Sequence, residues 1–298
     1  HQKNEPITLH TSDEFGDLAG ALNIIAEDLN NFDDYQRAFI SNISHDFRSP
    51  LTSIHGYAQA MLDGTIPYEA QEKYLNIILS ETDRLTNLTS NLLELNSFNG
   101  DNVLLDITTF NICETIVQTV NTLEGTAAKK EISFVLDYNT QKELLVEADE
   151  SKIHQVLYNL IDNAVKFSHN NSEIKISLRK KGAKVFVSVK DSGIGIPKES
   201  LNKVFDRFYK TDISRGKDKR GTGLGLSISK EIIQAHNQTI NVVSTVDVGT
   251  EFVFTLKYHS KKQEASSNYI FEFGLLFFYL YMFLLHSSKK LYYTLMRI

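Results

Sequence analysis

One histidine stands in a setting that invites chemistry. His45 lies in the segment Phe39-Ile-Ser-Asn-Ile-Ser-His-Asp-Phe-Arg-Ser-Pro-Leu-Thr-Ser-Ile54. Around it Ile40, Ile43, Phe47, Leu51, Ile54, Ala58 and Met61 step by three or four, the rhythm of a helix with one apolar stripe. At roughly 100° per residue, His45 falls about 200° from Ile43 and off that stripe. Its helical neighbours Ser41, Ser49, Thr52 and Gly56 are small, which leaves the ring open to a large reaction partner. Neutral imidazole is a nucleophile near neutral pH. The adjacent Asp46 is placed to accept a hydrogen bond from one ring nitrogen and leave the other free to attack. Pro50 cannot donate to the carbonyl of Asp46 and is expected to bend the helix.

Four clusters further along suit a phosphate-bearing ligand. Asn159, Asn163, Lys166 and Phe167 fall at i, i+4, i+7 and i+8, on one face of a helix whose packing side carries Val156, Leu157, Leu160, Ile161 and Val165. Two carboxamides and an ammonium on one face suit a magnesium–phosphate group, since magnesium takes oxygen ligands. Asp191-Ser-Gly193-Ile-Gly195-Ile-Pro197 follows a strand pattern. Its glycines let backbone approach a ligand closely, and Asp191 can accept from an exocyclic amine such as that of adenine. Next come Arg207, Phe208 and Lys210, then a basic loop with Arg215, Lys217, Lys219 and Arg220, a composition suited to a lid over a triphosphate. Last, Gly221, Thr222, Gly223, Leu224 and Gly225 open a helix whose first amides are free to meet phosphate. Neither a Rossmann unit nor a Walker loop frames these glycines. Taken singly, each cluster also reads as an ordinary solvated stripe, turn or loop.

The elements that must position these residues fall into four segments. Residues 1–35 are polar, with Leu18, Leu22, Ile25 and Leu29 on a coiled-coil-like seam. Residues 36–100 read as two amphipathic helices broken at Asp63-Gly-Thr-Ile-Pro67. Such a hairpin buries little alone, so a second copy completing a four-helix bundle is expected. Residues 101–259 alternate strands (132–136, 144–146, 174–178, 185–189, 240–243 and 252–256) with helices at 151–167 and 223–236, a mixed sheet layered with helices. In the tail, 260–298, thirteen residues from Phe273 to Leu285 carry no charge, short of the about 20 that span a bilayer. A membrane-associated segment, a buried accessory element and an accidental reading-frame extension all remain open for it.

The 298 residues carry a formal charge of −6, with 42% hydrophobic and 23% charged side chains, so a wholly disordered chain is excluded. The acidic balance argues against a nucleic-acid partner. A lone cysteine, Cys113, excludes an internal disulfide and a CxxC zinc site. The first residue is His1 rather than Met, which reads as a fragment of a longer chain.

The segment Ser44-His45-Asp46-Phe47-Arg48-Ser49-Pro50-Leu51-Thr52 resembles the phosphoacceptor box of sensor histidine kinases, usually Ser-His-Glu-Leu-Arg-Thr-Pro-Leu-Thr. Asp46 keeps the carboxylate. Ser49 stands where the family normally has Thr or Asn, the position that helps place water for dephosphorylation. The four later clusters resemble, in order and spacing, the N, G1, F and G2 boxes of the ATP-binding domain shared by histidine kinases, gyrase-type topoisomerases, Hsp90 chaperones and MutL proteins. Gly249-Thr250 resembles that domain's last threonine-bearing turn. The resemblance covers about 10–258. It implies His45 and Asp46 as catalytic residues, ATP and Mg2+ as cofactors, and Asn163 beside Asn159 as metal ligands. It further implies phosphate contacts from Lys166 and Arg207, an adenine pocket lined by Phe167, and Asp191 on the adenine amine. Gly193, Gly195, Phe208, Lys210, Thr222, Leu224 and Thr250 complete the nucleotide-binding set, and Gly221, Gly223 and Gly225 shape the lid hinge. Asp13-Glu-Phe-Gly-Asp-Leu18 looks like the second half of a HAMP linker, which implies a membrane receptor with this part in the cytoplasm.

The implied activity is ATP-dependent phosphorylation of His45, then transfer to an aspartate of a response-regulator receiver domain, carried out by a homodimer through residues 36–100. A degenerate kinase acting as a dimeric scaffold, and another ATPase of the same superfamily, are the alternatives.

Overall fold

The computed structural model describes residues 7–8, 14–97, 104–138, 143–211 and 221–260. The apolar tail, the core of the basic loop and the start of the HAMP-like phrase at Asp13 lie outside the described residues.

Helix α1, Glu14–Leu62, runs 49 residues through both position 35 and Pro50 without interruption, and the Pro50 ring is buried. It stops where Gly64 takes a φ of 78° and the Asp63 carboxylate accepts from the Thr65 amide at 2.9 Å. A short 3-10 turn at Tyr68–Ala70 leads into α2, Gln71–Ser97. The helices pack antiparallel, with the rings of Tyr57 and Tyr74 5.1 Å apart.

A seven-stranded sheet follows, formed by β1 (Thr108–Asn111), β2 (Ser133–Tyr138), β3 (Leu145–Ala148), β4 (Glu173–Lys181), β5 (Lys184–Lys190), β6 (Ile240–Thr245) and β7 (Gly249–Tyr258). The strand order is β1-β3-β7-β5-β4-β2, and β6 also pairs with β7. Among the described residues only the β2–β4 pair is parallel. Strand β7 therefore joins the halves. It holds β5 along one edge, and on the other β6 from Gly249 to Phe254 and β3 at its Tyr258 end.

Helices α3 (Ile112–Ala128), α4 (Glu150–Phe167) and α6 (Gly225–Ala235) form the core with the sheet; α5 (Lys198–Leu201) is a single turn. Ile116, Leu157, Leu160, Ile161 and Ile232 are buried with Ile174, Ile176, Val187 and Phe254. Asp149 caps α4, accepting from the Lys152 amide at 3.2 Å, and Asn111 caps α3 through the Cys113 amide at 3.3 Å. Helix α3 and strand β1 add to the elements expected from sequence. The signal for α3 was present: Asn111 precedes Ile112, Ile116, Val120, Leu123 and Ala127, a run of helical spacing.

The α/β unit rests on the hairpin. Leu88 and Leu95 of α2 are buried in the common core. Glu94 accepts from Lys152 Nζ at 2.6 Å and from the Gln155 carboxamide. On the α1 side the Phe39 ring meets Phe208 edge-on, with centroids 5.4 Å apart.

Candidate functional site

The ring of His45 is 83% exposed on α1, as the small neighbours at Ser41, Ser49 and Thr52 require. Its Nδ1 lies 3.5 Å from Asp46 Oδ1, while the Asp46 side chain is largely buried. Imidazole with Nδ1–H directed at a carboxylate keeps its lone pair on Nε2, the ring atom then available to a reaction partner.

A cavity of about 710 Å³ opens between α2, α4, the loop after β5, the start of α6 and β7. It gathers Asn159, Asn163, Lys166, Phe167, Asp191, Gly195, Lys210, Gly221, Thr222, Gly223, Gly225 and Thr250. Gly193, Arg207, Phe208 and Leu224 do not line it. Leu224 is fully buried in the core. Arg207 pairs with Glu231 at 3.2 Å, a contact that sequence alone does not disclose. Phe208, at a φ of 63°, donates its amide to the Gly223 carbonyl at 2.9 Å and so fixes the start of the glycine segment. Gly193 passes so close to the Phe167 carbonyl that a Cβ would overlap it.

Gly195 has a φ of +66°, and a Cβ there would run into the Thr245 carbonyl. Gly195→Ala is expected to cost about 2 kcal/mol or more of folding stability, as a left-handed residue without room for its side chain. Chemical denaturation of the two proteins measures this directly.

Asp191 anchors the far wall. It is 5% exposed, and its Oδ1 accepts from the amides of Gly193 at 3.0 Å and Thr250 at 3.2 Å. Burial pushes its carboxyl up to about 6, against the partial relief of those two amides and of His169. Oδ2 is left as the acceptor for a ligand, and an exocyclic amine is the chemistry it fits.

The α4 wall is polar along its open face. Asn159 donates its Nδ2 to the Gly225 carbonyl at 3.1 Å, which leaves its Oδ1 as an acceptor. The carboxamide of Asn163 has no hydrogen-bond partner among the described residues. Two amide oxygens so disposed fit a hard divalent cation that keeps most of its water, so these residues are suited to magnesium. Lys166 is paired with Asp162 at 2.7 Å. Lys130, a residue that sequence reasoning passed over, donates to the carbonyls of Val165 and Lys166 at 2.8 and 2.6 Å and closes the end of α4 that presents Lys166 and Phe167. Asn87 and Asn91 of α2 also line the cavity, a second pair absent from the sequence reading. Among the described residues no group of three or more His, Cys, Asp and Glu side chains is placed to hold a metal ion.

Asn163→Asp adds a negative charge where a triphosphate would lie. We expect at least about a 10- to 100-fold drop in ATP-dependent turnover, the loss that even outer-shell partners of a metal give. Initial rates at saturating magnesium test it.

Residues 35–100 match the His Kinase A (phospho-acceptor) domain, and residues 148–260 match the histidine kinase-, DNA gyrase B- and HSP90-like ATPase family. The chain is 33% identical over 258 residues to the sensor histidine kinase WalK of Bacillus subtilis (strain 168), covering 84% of this chain and 42% of that protein. It is 35% identical over 226 residues to the sensor protein kinase WalK of Staphylococcus aureus, covering 74% of this chain and 53% of that protein. It thus spans about half the length of these relatives. Among solved structures, histidine kinase ThkA in complex with response regulator protein TrrA has a TM-score of 0.61 at 32% identity, over 74% of this chain and 61% of that one. Acinetobacter baumannii histidine kinase AdeS has a TM-score of 0.61 at 24% identity, over 72% of this chain and 98% of that one, a likeness of fold.

Proposed function

Because this chain belongs to the sensor histidine kinases of two-component systems, we propose that it phosphorylates itself on His45 from ATP and passes the phosphoryl group to an aspartate of a response-regulator receiver domain. The observation that carries this reading is the pairing of an exposed, carboxylate-flanked imidazole with a cavity that gathers Asn159, Asn163, Lys166 and Asp191 on the unit packed against the same hairpin. Nε2 attacks the γ-phosphorus, an N–P bond forms, and the bond to the bridging oxygen breaks to release ADP. Asp46 holds Nδ1–H and stabilises the positive charge that the ring gains. Asp191 takes the adenine amine. Asn159 and Asn163 would hold magnesium, which when bound neutralises phosphate charge.

The hairpin supports a homodimer through residues 36–100. Leu51, Leu75, Leu79 and Leu93 remain exposed on it, and a second copy would cover such a seam. The solved complex of ThkA with TrrA supports a receiver domain as the partner. Membrane attachment through a preceding segment belongs to the same reading; among the described residues no helix is long and apolar enough to cross a membrane.

The test is incubation of the purified chain with γ-labelled ATP and magnesium. Label that is lost in acid and kept in alkali, and that moves to a receiver domain added afterwards, is the expected result. An acid-stable label would refute a phosphohistidine, and ATP hydrolysis with no labelled protein would favour a different ATPase of the superfamily.

A further inference from the structure

The nucleotide cavity has a wall that belongs to the hairpin. Asn87 and Asn91 stand one turn apart on α2 and both line the cavity. Among the described residues neither carboxamide has a hydrogen-bond partner. Glu94, on the next turn, is held by Lys152 and Gln155 of α4, and Leu88 and Leu95 are buried beside it, so the placement of this wall is fixed on both sides.

The direction of the cavity can be read along α4. Its lining runs from Gln155 to Phe167. At the Phe167 end, Ser168 bridges to Gly193, beside the buried Asp191 carboxylate. At the Gln155 end sits the Glu94 clamp. Going back along α2 from Glu94 gives Asn91 and then Asn87, while going forward along α4 from Gln155 gives Asn159 and then Asn163. Asn87 and Asn91 on the α2 side and Asn159 and Asn163 on the α4 side thus line the same cavity, on the stretches that follow the Glu94 clamp. With adenine on Asp191 at the Phe167 end, the phosphates extend along α4 toward the stretch where α2 forms the wall.

The height of the hairpin wall is informative as well. Tyr57 and Tyr74 meet across the hairpin. Twelve residues back along α1 from Tyr57 is His45, and twelve residues on along α2 from Tyr74 is Thr86. The two helices rise equally per residue, so His45 and Asn87 lie at nearly the same level of the hairpin.

We propose that Asn87 and Asn91 are nucleotide-binding residues supplied by the phosphoacceptor hairpin, their carboxamide N–H groups donating to the terminal phosphate of ATP. The inference rests on the assignment of the cavity to ATP. It makes the site a composite: the α/β unit recognises adenine and the first phosphates, and α2 recognises the phosphoryl group that is to be transferred. Discrimination between ATP and ADP then depends on the docking of the two units.

The experiment is equilibrium binding of a non-hydrolysable ATP analogue and of ADP, each with magnesium, to the whole chain. Asn87→Ala/Asn91→Ala is expected to weaken the triphosphate analogue about tenfold, as loss of hydrogen bonds to a charged group does, and ADP by less than about twofold. Glu94→Lys, which repels Lys152 and lifts α2 from α4, is expected to give the same selective loss. Equal losses for both nucleotides, no loss in the asparagine variant, or unaltered selectivity in Glu94→Lys would each overturn the proposal. If the unaltered chain binds neither nucleotide, the ATP assignment itself fails and takes the proposal with it; if it binds both and only the variants disappoint, that assignment stands.

Discussion

Replacing His45 by glutamine is expected to abolish phosphoryl transfer to the protein while leaving the fold and the ATP site untouched. The ring is 83% exposed and, among the described residues, its one polar contact is the Asp46 carboxylate at 3.5 Å, so its removal should change stability by no more than about 0.5 kcal/mol. Glutamine keeps polarity and a similar reach, but its amide nitrogen carries no available lone pair. Labelling from γ-labelled ATP should fall about 10³-fold or more, as when the nucleophile is deleted from other covalent enzymes. Binding of the non-hydrolysable analogue should be unchanged, since no wall of the cavity is made by His45. Labelling that survives in this variant would move the acceptor elsewhere. The scaffold alternative fares differently: it requires the unaltered chain to be as inert as the variant.

The second large effect is at Asp191, where stability and binding should move in opposite directions. Its carboxyl is raised from 3.8 to about 6 because burial opposes the charge more than the amides of Thr250 and Gly193 assist it. A carboxylate whose folded value lies above its unfolded one binds its proton more tightly when folded. The associated stability is fully present below about pH 4 and is lost as the pH rises through about 6. Above that range the charged group costs about 3 kcal/mol, the free energy that separates 3.8 from about 6. Asp191→Asn removes the charge and keeps Oδ1 for the two amides. The nucleotide-free variant should therefore be more stable than the parent at pH 7, by up to about 3 kcal/mol, and the difference should vanish near pH 4. Its new amide would meet the adenine amine donor to donor, so ATP affinity should drop about 10- to 100-fold. In the parent, ATP affinity should weaken as the pH falls below about 6, when the acceptor becomes protonated. Denaturant midpoints and nucleotide titrations at pH 4.5, 6 and 7.5, about and either side of the raised value, read both effects. A variant that is no more stable than the parent at pH 7 would remove the strained-carboxylate account.

The asparagine face of α4 was legible because four polar side chains at i, i+4, i+7 and i+8 sit on a helix whose other side is plainly apolar; the geometry needed is local. The exposed imidazole was legible for the same reason. Contacts between distant segments were not. Arg207, expected on phosphate, pairs with Glu231 across 24 residues, and only the packed fold brings that carboxylate within reach. Asn87 and Asn91 look like any solvated helix face until Glu94 is seen holding α4. The strand β1 is four residues with one buried side chain, Phe110, too short to show alternation. The boundary drawn at position 35 falls inside one helix, Glu14–Leu62, along which Ile25, Leu29 and Ile40 keep helical spacing.

That continuity has a mechanical corollary at Pro50. Within an unbroken helix, proline offers no N–H, so the carbonyl of Asp46 lacks the opposite amide that every neighbouring carbonyl has. The missing rung sits one residue beyond His45. A rod of 49 residues is thus one backbone rung short at the turn that carries His45, the kind of position at which helices kink.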